Sequence, residues 1–435
     1  MLQEDQDHLS AVDPSYLLQD QRRAYDIIDW HLAETLQVVG RAPPQLLMLI
    51  PGEGGVGKSK TIQTITENFC SKGVGHIPTK AAYTGIAASL IDGKKLHVIA
   101  QIPVNGCKQS QEMVRKPAAF WKNKLYLIID EKSTVSHTFF ARLSAYIAKG
   151  KALASKSDTN KPFGGVNAIL SGNFHQFPPV ASSRNAPLFW PCDSSKDNAE
   201  ELLGRKLYEE FSIVVHLKEK VRITDPNLLD LMQHVRHSSC RAHHIKLLRS
   251  LIITSSLCPP IDFTTLPWNE AVIVTPRHSV RKHWNAIMAQ TLCRRMSGRF
   301  AVATKKQRKH REKHDERAAL PNKVKLAKGM KVMVTFNVET DLDIGNGARG
   351  EITEITLDER ETTFLPIVPI VKLTYPPSYI LVKMNRTKAV QLEGLKKGVL
   401  PLFPLERTFA IVHGKGLKTI GRRQLPVTPA YSFRL

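Results

Sequence analysis

The sequence lacks the features that mark secreted and membrane-spanning proteins. Its six cysteines are scattered and form no C-x-x-C pair, which argues against a disulfide scaffold and is typical of a reducing compartment. No apolar run approaches the ~18 to 20 residues that cross a membrane. The first residues, Met1 to Asp7, are rich in acidic side chains, unlike a secretory signal or a typical transit peptide. We therefore expect a soluble intracellular protein.

Acidic residues are scarce relative to basic ones. The 435 residues include 62 Lys and Arg against 39 Asp and Glu, a net charge of +23 at pH 7. A charge that serves solubility alone would be nearer about ten for such a chain. The excess favours a polyanionic partner, of which nucleic acid is the commonest. The length and a hydrophobic content of 42% predict two or three globular domains.

A glycine-rich stretch at residues 52–59 organises the chain. It reads Gly-Glu-Gly-Gly-Val-Gly-Lys-Ser and matches the pattern G-x-x-x-x-G-K-(S/T) at every fixed position. The apolar run 46–50 predicts a strand before it, and residues 59–63 predict a helix after it. Backbone N–H groups of such a loop surround a polyphosphate, with Lys58 on the β/γ-phosphates and Ser59 on Mg²⁺. The predicted nucleotide-binding residues of this loop are Gly52, Gly54, Gly55, Val56, Gly57, Lys58, Ser59 and Lys60.

Two carboxylates end a second apolar run. Residues 125–129 predict a buried parallel strand, which would deliver Asp130 to Mg²⁺ and Glu131 to the attacking water. The alternative is a strand that merely ends in surface acids. Residues 168–180 repeat the design with a strand, a glycine turn and prolines, and the Gln176 in that turn could bond the γ-phosphate or the water.

Three further segments offer weaker candidates. Gln21 lies in a predicted helix, and its amide could read an adenine edge, although a solvated helix residue is the alternative. Arg222 follows the predicted strand 213–217 and could point at the phosphates in cis, although a lone arginine is usually a surface residue. At Thr84 and Gly85 a strand turns into a helix and leaves backbone N–H groups open to a phosphate.

Histidines and basic residues dominate two other segments. A zinc site is suggested by five residues at roughly helical spacing, His234, His237, Cys240, His243 and His244. We expect no Asp or Glu within reach to orient an imidazole there, so a helix with a basic face is the favoured interpretation. The charge run 304–317 is a nuclear-localisation patch, a backbone-contacting arm or a solvated loop. From residue 324 the periodicity changes to two and predicts a small β-barrel.

Taken in order, these motifs resemble those of the PIF family of superfamily-one DNA helicases, in particular fungal and transposon-associated members related to RecD. The likeness covers nearly the whole chain, from about residue 19 onward. Many NTPases share the phosphate loop and the two carboxylates, so the specificity comes from further segments. These are Thr84 to Ala88 with His97, the Gly172-to-Pro179 motif, Leu217 with Arg222, Gly329 to Met333, Asn346 to Gly350 and Arg422 to Pro426.

The resemblance implies a role for each candidate residue. Gln21 resembles the glutamine that reads adenine, while Ser59 and Asp130 match the residues that hold Mg²⁺. The implied catalytic residues are Lys58, Asp130, Glu131, Gln176 and Arg222. The implied contacts to single-stranded DNA are Thr84, Gly85 and His97.

The resemblance also implies an α/β fold, that of a P-loop NTPase with two RecA-like motor domains, the second incomplete, and an SH3-like β-barrel insertion. The expected segments are an N-terminal helix (1–44), the first motor domain (45–217), the first part of the second (218–303), a basic linker (304–323), the β-rich SH3-like insertion (324–418) and a return to the second motor domain (419–435). ATP and Mg²⁺ are the expected cofactors. The expected partners are single-stranded DNA and DNA junctions, with no membrane, for a monomer in the nucleus or alternatively in mitochondria.

Two departures from the family pattern leave two hypotheses open. Asn173 occupies the position of an Asp, and the Thr-x-His-Lys-x-Gln-Gly motif and a second arginine motif do not follow residues 426–433. The chain is therefore expected to bind ATP and Mg²⁺ but to hydrolyse ATP poorly. It is either a 5′-to-3′ ATP-dependent DNA helicase acting in repair, recombination or telomere maintenance, or a truncated, impaired remnant that binds nucleotide and DNA. A P-loop kinase or regulator unrelated to DNA would explain neither the charge nor the Gly172-to-Pro179 motif.

Overall fold

A computed structural model describes residues 10–37, 43–100, 118–154, 160–179, 187–295, 300–304, 323–361, 370–413 and 416–434. The chain divides into two compact units, Met1–Leu257 and Cys258–Leu435. The expected boundary at 217/218 stays a prediction, and residues 218–257 lie in the first unit. The basic run expected at 304–317 falls almost entirely outside the described residues. Among the described helices, none combines the length and apolarity that crossing a membrane requires.

The first unit is built around a parallel sheet. In its described part the strand order is β3-β2-β4-β5-β1-β6, and each neighbouring pair is parallel. The strands are β1 (Leu47–Pro51), β2 (Pro78–Ala82), β3 (Lys94–Lys95), β4 (Tyr126–Asp130), β5 (Asn167–Gly172) and β6 (Ile213–Val214). The helices are α1 (Gln19–Leu36), α2 (Lys58–Ser71), α3 (Gly85–Leu90), α4 (Leu96–Ala100), α5 (His137–Ala154), α6 (Ala199–Glu209), α7 (Pro226–Arg236) and α8 (Ala242–Ser250).

Burial on both faces explains why the central strands are continuous apolar runs. Leu47 and Leu49 of β1 pack in one core cluster with α5, whereas Met48 and Ile50 pack in the other with α1 and α2. Successive side chains of a strand point to opposite faces, so a strand covered by helices on both sides needs apolar residues throughout. Each fully buried side chain of this size stabilises the fold by about 1.5–3 kcal/mol. The strand predicted at residues 46–50 and the helix predicted at residues 59–63 are confirmed, as β1 and α2.

The same sheet edge gathers the segments singled out in the sequence. The carboxyl ends of β1, β4 and β5 are neighbours because β1 pairs with β5 and β5 pairs with β4. The glycine-rich loop follows β1, the two carboxylates end β4, and the glycine turn ends β5. In parallel α/β sheets ligands bind at this edge.

The second unit is mostly antiparallel. Its described part contains α9 (His278–Arg295) and a five-stranded sheet of order β14-β13-β11-β10-β17. The strands are β7 (Ile273–Thr275), β8 (Phe300–Thr304), β9 (Lys323–Leu326), β10 (Lys331–Val334), β11 (Arg349–Thr356), β12 (Ile370–Leu373), β13 (Tyr379–Met384), β14 (Val399–Leu402), β15 (Leu405–His413), β16 (Gly416–Gln424), β17 (Val427–Pro429) and β18 (Ser432–Arg434). The strand-rich character predicted from residue 324 is present, and the SH3-like identity stays a prediction. The parallel pair of β7 and β18 is the sheet to which the last described residues return.

Candidate nucleotide site

The glycine-rich loop turns from β1 into α2 with left-handed backbone at two positions. Gly55 has a φ of 87° and Gly57 a φ of 77°, a region that residues with a Cβ rarely adopt. A Cβ on Gly55 would lie 2.8 Å from the Cβ of Arg222, and one on Gly57 would lie 2.5 Å from Nε2 of Gln21. Glycine is therefore required at both positions for two independent reasons, backbone conformation and close packing.

A cavity of about 380 Å³ lies against this loop. It brings together all five residues expected to be catalytic, although they come from four separate segments of the chain. Of the expected nucleotide-binding residues, Gly52 lines a neighbouring cavity of about 370 Å³ and Val56 is buried behind the loop. The lining residues are Gly54, Gly55, Gly57, Lys58, Ser59, Lys60, Ala87, Leu90, Asp130, Glu131, Gln176, Val221 and Arg222.

The ammonium group of Lys58 is held by the loop itself. Its Nζ donates to the carbonyl oxygens of Gly52, at 2.8 Å, and Glu53, at 2.7 Å. Burial lowers the pKa of Lys58, and the nearby carboxylate of Asp130 opposes that shift. An ammonium group has three donors, so one remains for an anion while the other two hold the loop in shape.

Asp130 and Glu131 occupy different environments although they are adjacent. Asp130 is buried at the end of β4, and its Oδ1 accepts from the backbone N–H of Glu131 at 2.9 Å. Glu131 adopts a left-handed backbone with a φ of 55°, which costs about 1–3 kcal/mol in a non-glycine residue. Burial raises the pKa of the Glu131 carboxyl, the charge of Asp130 adds to the rise, and a hydrogen bond from Thr84 opposes it. A carboxylate made more basic in this way is suited to accept a proton.

Gln176 and Arg222 both line the cavity and come from separate segments of the chain. The turn that carries Gln176 is closed by Asn173, whose Oδ1 accepts from the backbone N–H of His175 at 3.1 Å. Asn173 thus performs the local turn chemistry that an Asp would perform, without its charge. The backbone N–H of Val221 donates to the carbonyl of Gly55 at 2.9 Å, which fixes the following Arg222 beside the loop.

Gln21 lies behind the loop rather than in the cavity. Its Nε2 donates to the carbonyl of Val56 at 2.9 Å, and its Oε1 accepts from the backbone N–H of Leu18 at 3.1 Å. The side chain is buried, and one donor and one acceptor position of the amide are already used. Adenine reading by Gln21 stays a prediction.

The three residues expected to contact DNA differ in accessibility. Thr84 is exposed at the N-cap of α3, where Gly85 begins the helix. His97 is half-buried, with ring centroids 5.0 Å from Tyr83 and 4.7 Å from Phe139. Burial lowers the pKa of His97, and the charge of Lys95 adds to this effect. The DNA contacts of Thr84, Gly85 and His97 stay predictions.

Lys132, directly after the carboxylate pair, is a buried residue of the site that was not predicted from the sequence. Its side chain is 1% exposed, and its Nζ lies 4.6 Å from the centroid of the Phe174 ring. Burial lowers the pKa of Lys132 to about 8, and the charge of Lys58 adds to this effect. A lysine that follows two acids at a strand end is normally exposed, so the sequence carries no signal for its burial.

The expectation that no carboxylate reaches the histidines was wrong. Asp230 lies one turn before His234 on α7, and its Oδ2 is 2.6 Å from Nε2 of His244 and 3.4 Å from Nε2 of His243. Nδ1 of His244 accepts from the backbone N–H of Arg241 at 2.9 Å, so the proton of this ring is on Nε2 and is donated to Asp230. Oδ1 of Asp230 also lies 3.2 Å from Nδ1 of His234, a contact that their i, i+4 spacing could have revealed from the sequence.

Neither of the other two expected ligands belongs to this group. His237 packs its ring 6.2 Å from that of His175, beside the neighbouring cavity, and Cys240 is exposed. The hydrogen bonds of Asp230 with His243 and His244 therefore connect α7 to the start of α8.

Comparison with known proteins gives consistent likenesses. The family model described as PIF1-like helicase matches residues 17–235. The ATP-dependent DNA helicase PIF1 of Xenopus laevis is 26% identical over 334 residues, covering 73% of this chain and 45% of that protein. The ATP-dependent DNA helicase RRM3 of Saccharomyces cerevisiae is 27% identical over 250 residues, covering 56% of this chain and 31% of that protein. The chain thus spans less than half the length of these curated relatives.

Solved structures show the same fold. The Pif1 helicase of Candida albicans has a TM-score of 0.61 at 19% identity, covering 96% of this chain and 85% of that one. A Pif1 helicase from Bacteroides, solved in complex with ADP-AlF3 and ssDNA, has a TM-score of 0.56 at 18% identity, covering 96% and 82%. The predicted α/β fold with a RecA-like parallel sheet is confirmed.

Proposed function

This chain belongs to the family of PIF1-like helicases, and from that premise we propose that it is an ATP-dependent DNA helicase that moves 5′-to-3′ along single-stranded DNA. Its biological role would lie in DNA repair, recombination or telomere maintenance. The observation that carries the proposal is the single cavity lined by Lys58, Asp130, Glu131, Gln176 and Arg222. These are the residue types that position a triphosphate and activate water, and they meet at the ligand-binding edge of a parallel sheet.

Each side chain has a defined task in hydrolysis. Lys58, with the loop N–H groups at the start of α2, binds the phosphates and neutralises their charge. Glu131 accepts a proton from the attacking water, for which its raised pKa suits it. Gln176 and Arg222 would contact the γ-phosphate, where an arginine stabilises the charge that develops in the transition state.

Mg²⁺ fits the donors present. Ser59 and Asp130 both line the cavity and offer the hydroxyl and carboxylate oxygens that Mg²⁺ prefers. When bound, the ion would neutralise phosphate charge and orient the nucleotide. Asp130 uses one oxygen for the backbone N–H of Glu131, which leaves its other oxygen for this role.

The DNA partner is supported by charge and by the relatives. The net charge of +23 suits a polyanion, and the exposed Thr84 lies next to the cavity-lining Ala87. We propose single-stranded DNA and DNA junctions as partners of a monomer that works in the nucleus, or alternatively in mitochondria. Each phosphate neutralised on binding releases counterions, so the affinity for DNA falls steeply as salt rises.

A nucleotide- and DNA-binding remnant is the competing function, and the likenesses to helicases do not favour it. ATP hydrolysis by the full chain, measured with and without single-stranded DNA, separates the two. Turnover that is stimulated by DNA and abolished by Lys58→Ala identifies a motor. DNA binding without turnover identifies a remnant, which is the outcome expected if the chain hydrolyses ATP poorly. Lys122→Ala, at an exposed lysine away from the cavity, is the matched control and leaves turnover unchanged.

A further inference from the structure

The hydroxyl of Thr84 contacts both the start of a helix and the predicted general base. Its Oγ1 accepts from the backbone N–H of Ala87 at 3.3 Å, as the N-cap of α3. The same oxygen donates to Oε2 of Glu131, also at 3.3 Å. Thr84 is on the segment expected to meet DNA, and Glu131 is on the segment expected to activate water. One hydroxyl group therefore connects the two activities.

The hydroxyl of Thr84 can donate its proton either to Glu131 or to a DNA phosphate, but not to both at once. A threonine hydroxyl has one proton to donate and two lone pairs to accept with. An ionised carboxylate only accepts, so the proton of Thr84 must point at Glu131. A DNA phosphate also only accepts, and it would need that same proton. Since the helix cap uses a lone pair and not the proton, the cap survives whichever acceptor takes the proton.

We propose that Thr84 is a positioning residue that holds the carboxylate of Glu131 until a phosphate of single-stranded DNA takes over its one hydroxyl proton. This inference rests on the proposed function, because it assumes that Glu131 activates water and that Thr84 meets DNA. It adds the link between them: the DNA contact itself releases the base. The hydrogen bond is long, at 3.3 Å, which suits a contact that must be exchanged rather than kept.

The hydrogen bond from Thr84 occupies Oε2 of Glu131 and restrains the direction in which the carboxylate faces. The backbone of Glu131 is confined to the small left-handed region. The carboxylate can therefore reach a water in the cavity only by rotation of the side chain. Thr84 ties Oε2 toward α3. Release by DNA leaves both carboxylate oxygens free to turn toward a water in the cavity that Glu131 lines, so ATP turnover rises when a strand is bound.

ATP hydrolysis of the full chain, with saturating single-stranded DNA and without DNA, tests the restraint. Thr84→Val keeps the shape of the side chain but removes the hydroxyl, and with it both the proton and the N-cap acceptor of α3. We expect it to raise the DNA-free rate and to reduce the stimulation by DNA about tenfold, the factor of one hydrogen bond to a charged group. Loss of a DNA contact alone could not raise the DNA-free rate. Thr84→Ser keeps the proton and is expected to restore stimulation.

Thr79→Val is the matched control on the adjacent strand β2. The buried hydroxyl of Thr79 has no hydrogen-bond partner among the described residues, so the same substitution there leaves the stimulation unchanged. If Thr84→Val lowers both rates equally or keeps the wild-type ratio, Thr84 is no restraint, although the helicase proposal stands. If the wild type shows no stimulation by DNA, both the helicase proposal and this inference fail.

A second measurement is independent of turnover. Binding of a fluorescent single-stranded oligonucleotide is compared for the wild type, Glu131→Ala, Thr84→Val and the double variant. Removing the carboxylate frees the proton of Thr84, so Glu131→Ala raises DNA affinity more in the wild type than in the Thr84→Val background. The change in net charge is the same in both backgrounds and cancels in the cycle. An equal factor in both backgrounds would show that the two side chains do not share a proton, and would overturn the inference.

Discussion

A buried tyrosine, Tyr126, provides a test of the hydrogen bonding that fixes α1 to the sheet. Its hydroxyl lies 2.7 Å from Nδ1 of His31, and both side chains are buried. Nε2 of His31 lies 2.9 Å from the carbonyl of Pro44, which can only accept, so Nε2 carries a proton and Nδ1 is left to accept from the hydroxyl of Tyr126. Thr35 already donates its proton to the carbonyl of His31. The hydroxyl of Tyr126 is therefore the donor on which Nδ1 depends.

Tyr126→Phe removes that donor and leaves the ring packing in place. A buried acceptor without a partner costs about 1–3 kcal/mol, and we expect a loss of about 2 kcal/mol in the free energy of unfolding at pH 8. His31→Leu in the same background removes the orphaned nitrogen, so the double variant loses less than the sum of the two single variants. Tyr16→Phe, at a side chain that is 79% exposed, is the control and changes stability by less than about 0.5 kcal/mol.

The same tyrosine predicts a dependence on pH. Burial raises the pKa of Tyr126 from 10.0 to about 12, so between these values the folded chain holds a proton that the unfolded chain has released. Stability contributed by the hydroxyl is therefore fully present below pH 10 and is lost as pH rises toward 12. At pH 11 the wild type has lost about 1.4 kcal/mol from this group, and Tyr126→Phe has lost none. Urea unfolding of the wild type and Tyr126→Phe at pH 8 and pH 11 checks this. If the difference in their free energies of unfolding is the same at both pH values, the reasoning is refuted.

Three further substitutions test packing and capping by urea unfolding. Gly204→Ala places a Cβ 2.1 Å from the carbonyl oxygen of His137, where α6 crosses α5, and we expect a loss of about 3 kcal/mol because backbone must move. Thr79→Val replaces a buried hydroxyl that has no hydrogen-bond partner in the described part of the chain, and is expected to stabilise the chain by about 1 kcal/mol; an unchanged or lower stability would contradict this expectation. Asn198→Ala removes the N-cap of α6, which bonds the backbone N–H of Glu201 at 3.0 Å, and costs about 1 kcal/mol that Asn198→Ser largely restores.

Periodicity and loop chemistry were enough to predict the strands around the site and the edge at which they meet. Continuous apolar runs indicate strands buried on both faces, and parallel strands bring their carboxyl ends together. For that reason Lys58, Asp130 and Gln176 could be placed in one cavity from sequence alone. Arg222 could be included only through the family resemblance, because nothing local distinguishes it from a surface arginine.

Contacts that depend on side-chain direction could not be predicted. The amide of Gln21 is turned to the back of the loop by Val56 and Leu18, which no pattern in its own helix reveals. The link between Thr84 and Glu131 joins two strand ends through a single hydroxyl, and Glu131 has a left-handed backbone there. Such backbone is set by the surrounding structure rather than by the residue type.

A last prediction concerns the histidines that contact Asp230, which we expect to bind zinc only weakly. A zinc ion needs an unprotonated ring nitrogen, yet Nδ1 of His244 accepts from the backbone of Arg241 and Nε2 donates to Asp230. Binding through His244 would therefore break the start of α8 or the contact that joins α8 to α7. We expect competition with a chromophoric chelator to give a dissociation constant weaker than about 1 μM, against the far tighter values of built zinc sites. Tight binding that His244→Gln abolishes would contradict this argument, because it would show that the ring gives up its bond to Arg241 for the metal.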